Sequence, residues 1–81
     1  MFIFNNTNEL DEIFGVKGIE TGGQNKGKIY KLEHEYFKVY DHPKKESTYI
    51  VEGYHYYRQT PFLVNEIPYN KMKEFASYYV N

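Results

Sequence analysis

The spacing of apolar residues divides the chain into two helical stretches that bracket a block of alternating ones. Near the start, Leu10, Ile13 and Phe14 fall at i, i+3, i+4 within "NNTNELDEIFG", which is one face of a helix. Asn6 and Glu9 have capping-box spacing, with Thr7 or Asn8 as alternative caps. Gly15 stands where a helix favours a left-handed C-terminal residue. Asp11 and Glu12 are expected on the wet side. Ahead of this helix, Phe2-Ile3-Phe4 reads as a short strand or an apolar plug. At the other end, Met72, Phe75, Ala76 and Tyr79 form a second stripe at i, i+3, i+4, i+7, opposite Lys71, Lys73, Glu74 and Ser77. Pro68 to Asn70 opens that helix, with Asn70 a candidate N-cap.

Between the helices the period shortens to two. Tyr30 and Leu32 alternate with Lys31 and Glu33, and Phe37 and Val39 flank Lys38. The two apolar sets have opposite parity. A one-residue slip exchanges sheet faces, so a tight turn or a bulge is expected at residues 33–35. His42-Pro43 and the charges after it predict a turn over 41–47. A strand over 48–58 follows, rich in β-formers, and Pro61 ends it. Residues 62–67 form the last short strand. The segment 16–28 holds four glycines and no sustained period, so it reads as a flexible loop with a brief extended piece at 16–19. The fold class predicted is α+β. One small domain, 1–81, carries a three- to four-stranded antiparallel sheet, a short N-terminal helix and a C-terminal amphipathic helix. Helices cover one sheet face and leave the other to water or a partner.

Which rings lie inside turns on "GYHYYRQTPF". Tyr49, Val51, His55 and Tyr57 have one parity; Ile50, Glu52, Tyr54 and Tyr56 have the other. Neither set is cleanly apolar. An isolated glycine in a strand often marks a bulge. A bulge at Gly53 would carry Tyr54 and Tyr56 inward beside Tyr49 and Val51, and turn His55 and Tyr57 outward. The expected core is then Leu10, Ile13, Phe14, Tyr30, Leu32, Phe37, Val39, Tyr49, Val51, Tyr54, Tyr56, Leu63, Phe75, Ala76 and Tyr79. Without the bulge, the assignment reverses after Gly53.

Composition changes this picture in two ways. Among 81 residues there are ten Tyr, six Phe and no Trp, so tyrosine takes over burial that leucine would usually supply. A domain of this size is marginal on its core alone, and the absence of cysteine removes disulfides and thiolate metal sites as supports. The formal charge of −1 lacks the basic field of a strong nucleic-acid binder. No apolar run approaches the length of a membrane span, and "MFIFNN" lacks the parts of a signal peptide, so a cytoplasmic location is expected.

Sequence motifs for chemistry are weak. "GGQNKGKI" has the glycine and lysine spacing of a phosphate loop, but Ile29 replaces the Ser or Thr, and a strand rather than a helix follows. His34, His42 and His55 lack metal-ligand spacing. Ser47 and Ser77 sit in no nucleophile elbow. The chain therefore reads as a non-enzyme without cofactor or metal. Tyr and Arg are enriched at protein interfaces. The expected partner-binding residues are Tyr36, Lys38, Tyr40, His55, Tyr57 and Arg58, with Gln24, Asn25 and Lys26 of the glycine loop as further contacts. The function expected is a protein-interaction domain, such as a phage or mobile-element inhibitor or adaptor. The alternative is a single-stranded nucleic-acid-binding domain using the same aromatic and basic face. Self-association through that face or an edge strand is a third reading.

Overall fold

The computed structural model describes residues 4–21 and 27–80. Helix α1 (Phe4–Phe14) is followed by five strands, β1 (Ile19–Glu20), β2 (Gly27–Lys31), β3 (Glu35–Asp41), β4 (Thr48–His55) and β5 (Leu63–Pro68). A 3-10 turn (Tyr69–Lys71) then leads into a short helix, α2 (Met72–Ala76). The strands form one antiparallel meander in the order β1-β2-β3-β4-β5. The class is the α+β expected, with one strand more than the sequence pattern indicated.

Odd-numbered residues of β3 and β4 face the helices. Phe37, Val39, Tyr49 and Val51 are buried there with Tyr30 and Ile67, against Leu10 and Phe14 of α1 and Met72 and Ala76 of α2. Phe14 stacks on Tyr30 with ring centroids 4.6 Å apart, and Phe37 meets Phe75 and Tyr79 at 5.7 Å and 4.8 Å. The parity change is made by a tight hairpin. Leu32 N–H donates to Glu35 O at 2.9 Å, with Glu33 and His34 at the tip. Gly15, at φ 74°, ends α1 and donates its N–H to Asp11 O, as a C-terminal glycine should.

Several expectations are corrected. The pairing of β3 with β4 runs without interruption from Asp41↔Tyr49 through Phe37↔Gly53 to Glu35↔His55, so Gly53 is not a bulge. Gly53 is there for space. A Cβ on it would stand 2.9 Å from the Phe37 ring and 2.8 Å from Phe62. Tyr54 consequently stays on the helix-free face with Ile50 and Glu52, and neither it nor Tyr56 belongs to the buried core. Ile67 and Met72, left out of the expected core, are buried. Asp11 is only partly exposed and is turned to the sheet. Its Oδ1 accepts from Tyr30 Oη at 2.6 Å and Gly18 N–H at 3.2 Å, with Lys28 Nζ 3.5 Å away. α1 begins before Asn6, and α2 starts after Lys71 with no side-chain cap, so neither Asn6 nor Asn70 caps a helix. β1 and the first residues of β2 occupy part of the segment expected to be loop.

Candidate functional site

The face turned away from the helices is built by the even residues of β3 and β4. Tyr36, Lys38 and Tyr40 stand opposite Tyr54, Glu52 and Ile50 in register. Tyr36 and Tyr54 form a cross-strand pair with nearly parallel rings, centroids 5.0 Å apart. Glu52 lies at the centre and is gripped from both sides. Tyr40 Oη donates to one carboxylate oxygen at 2.6 Å, and Tyr54 Oη donates to the other at 2.9 Å. The hydroxyls answer to that carboxylate. The hydrogen bond to Glu52 first, then burial, pushes Tyr40 up to about 12. Burial first, then the same carboxylate, pushes Tyr54 up to about 12.

The ring track continues past the end of the strands. Tyr56 lies against Tyr36 at 5.6 Å and donates its hydroxyl to Leu32 O at 2.7 Å, tying the β4–β5 turn to the β2–β3 hairpin. The turn is closed by Arg58 N–H on His55 O at 3.1 Å. At its tip Tyr57 takes a left-handed conformation, φ 71°, and its side chain is fully exposed. Arg58 beside it is also exposed. The face and the tip thus form one path, Tyr40–Glu52–Tyr54–Tyr36–Tyr56, ending at Tyr57 and Arg58.

The expected site residues separate accordingly. Tyr36, Lys38 and Tyr40 share the helix-free face. Tyr57 and Arg58 stand at the turn. His55 has the parity of the helix side and stacks on Phe62 at 4.3 Å, away from the tyrosine path. Gln24, Asn25 and Lys26 lie outside the described residues, as do Gly22 and Gly23 of the same loop. Glu52 was missed as a site residue. Its spacing carried a signal, since an acidic residue two positions from a tyrosine on one strand shares that tyrosine's face. The histidines are dispersed: His34 lies beside Glu33, His42 bonds Glu66 at 3.0 Å, and His55 meets Phe62.

No family model, curated protein or solved structure matches the chain. The chemistry of the face therefore stands on its own geometry. It offers phenol hydroxyls committed to a carboxylate, ring surfaces held in place by stacking, and two lysines, Lys38 opposite Glu52 and Lys31 of β2 opposite Tyr36. Among the described residues no group of three or more His, Asp or Glu side chains is arranged to hold a metal ion. No helix among them is long and apolar enough to cross a membrane.

Proposed function

We propose that the chain is a non-enzymatic protein-binding module that docks on a larger protein through the helix-free tyrosine face and the Tyr57–Arg58 tip. The observation that carries this reading is Tyr57. A fully exposed aromatic ring held at φ 71° is costly twice over, because the left-handed conformation favours glycine and the ring gains nothing from burial. Such strain concentrates where a side chain is presented for binding. The neighbouring rings support the reading, since Tyr40 and Tyr54 are already fixed by Glu52 and lose little rotamer freedom on association. Tyr and Arg are the side chains that most often dominate interface energy. Small size and near-neutral charge suit an inhibitor or adaptor of the phage or mobile-element kind, working in the cytoplasm.

The nucleic-acid alternative is weaker on this face. A carboxylate at its centre repels phosphates, and the rings of Tyr36 and Tyr54 stack on each other rather than standing free for bases. The test is Tyr57→Gly, alone and with Arg58→Ala. Relief of the left-handed strain should leave the variant at least as stable as the parent, by urea titration. Proteins held by the immobilised parent from cell lysate should be lost. Retention of the same proteins by the variants would sink the proposal. So would tight capture of a single-stranded oligonucleotide that weakens with salt.

A further inference from the structure

A meander leaves two free edges. β1 contributes two residues to one of them, and β5 contributes six to the other. The phase of the β5 ladder is fixed by Tyr69 N–H donating to Ser47 O at 2.9 Å, in step with the β4–β5 register. In an antiparallel pair, alternate residues bond to the same neighbour. Leu63, Asn65 and Ile67 therefore bond inward to β4, while Val64 and Glu66 direct their N–H and C=O groups outward. Among the described residues nothing pairs with them.

Edges of this length are usually blunted by lysine, by a bulge or by an inward-pointing charge. β5 has no lysine, its register is unbroken, and its proline comes only at the last position. Its one charge, Glu66, is already partnered by Lys45 Nζ at 2.6 Å and His42 Nε2 at 3.0 Å. Exposed apolar side chains also gather here: Phe62, Val64 at 57% and Tyr78 at 77%. Tyr78, Phe75 and Ile67 help line a shallow groove of about 380 Å³ between β5 and α2. The charges at the groove, Lys71 and Glu74, offset each other, so the edge has no net charge with which to select a foreign acidic or basic strand.

The geometry points to a second copy of this chain as the occupant, its β5 added antiparallel to β5 about a two-fold axis at Asn65. One register satisfies both copies. Val64 of one copy faces Glu66 of the other, and these residues exchange their outward N–H and C=O groups. Asn65 faces Asn65, and Leu63 faces Ile67 on the helix side, extending the apolar layer. The neighbouring registers fail. Centring on Glu66 opposes two carboxylates and asks Pro68 for an N–H it lacks. Centring on Val64 needs the Phe62 N–H, which is already given to Gly53 O at 2.8 Å. A closed two-fold contact covers the β5 edge of both copies in one step. On the helix-free side Val64 and Glu66 stand beside Glu52 and Ile50, so the contact brings the tyrosine faces of the two copies next to each other.

The experiment is sedimentation equilibrium over a wide concentration range. The parent chain should move from the monomer mass to twice that mass. Asn65→Lys opposes two ammonium groups at the axis and should weaken the dimer roughly fivefold or more. Asn65→Asp should do the same, and an equimolar mixture of the two should recover the dimer. Val64→Pro removes an outward N–H without touching the inward ladder and should weaken it roughly tenfold. Circular dichroism confirms that each variant is folded, and an unfolded one is replaced by the other. A parent that stays monomeric at every concentration overturns the proposal and leaves the edge to a partner's strand. A dimer untouched by the substitutions at both positions overturns it as well. So does a dimer that is not restored when the Asn65→Lys and Asn65→Asp variants are mixed.

Discussion

Gly53 shows how one residue type can serve two different physical ends. A glycine in a strand can free the backbone or make room, and the uninterrupted β3–β4 register assigns it to the second role. The Phe37 ring, itself fully buried, passes over the position a Cβ would take, and Phe62 closes in from the other side. Gly53→Ala should therefore destabilise the protein by about 1–3 kcal/mol, as overpacking of a close contact does. Phe62 is half-exposed at the rim and its truncation opens that side. Gly53→Ala combined with Phe62→Ala should cost less than the sum of the two single changes, read from urea midpoints. Strict additivity would return the glycine to a backbone role.

At the scale of elements, the joint between α1 and the sheet depends on one carboxylate. Burial alone would raise the Asp11 pKa, but the hydroxyl of Tyr30, the N–H of Gly18 and the ammonium of Lys28 outweigh it and hold it below the usual carboxylate value. Asp11 thereby anchors β1 and β2 to the helix. Asp11→Ala should cost about 2–3 kcal/mol, because it leaves a buried phenol without its acceptor; Asp11→Asn, which keeps an acceptor, should cost less. Chemical denaturation of both variants measures the difference. The sequence pattern placed Asp11 outside, since helical periodicity reports which face is apolar and cannot foresee a tyrosine reaching up from a strand. What periodicity does govern was legible: α1 and its Gly15 end, the parity change at Glu33-His34, the strands β3 to β5, and the stripe of α2. The two residues of β1 are too short to carry a period. The C-terminal stripe was legible but overstated the length of helix, because Pro68 is extended at ψ 150° and a 3-10 turn intervenes before Met72. In the site, the shared face of Tyr36, Lys38 and Tyr40 followed from alternation. The places of Tyr54, Tyr56 and His55 did not, because they hung on whether Gly53 shifted the register.

Across the whole molecule, tyrosine does what leucine does elsewhere, and this ties stability to alkaline pH. Burial and the Asp11 hydrogen bond push the Tyr30 hydroxyl far up; burial and the nearby Tyr69 and Asp41 push up Tyr49. Tyr40 and Tyr54 rise to about 12 beside Glu52. Each of these groups binds its proton more tightly in the folded chain than in the unfolded one, where the value is 10.0. Between about pH 10 and about pH 12 the native state therefore holds more protons than the unfolded state, so stability falls as pH rises. The contribution is fully present below pH 10 and is lost as the folded-state values are passed. Urea midpoints should decline steeply across that window and stay flat, on this account, from neutral pH up to it. Tyrosinate absorbance should rise late and together with loss of the circular dichroism signal, because deprotonation and unfolding are linked. Glu52→Gln separates the two sources: it removes the carboxylate that raises Tyr40 and Tyr54 but leaves Tyr30 and Tyr49 buried. Its alkaline decline should be shallower than the parent's while still present. An unchanged pH profile in that variant would mean that the Glu52 clasp contributes nothing to the alkaline limit, and that burial of the tyrosines sets it.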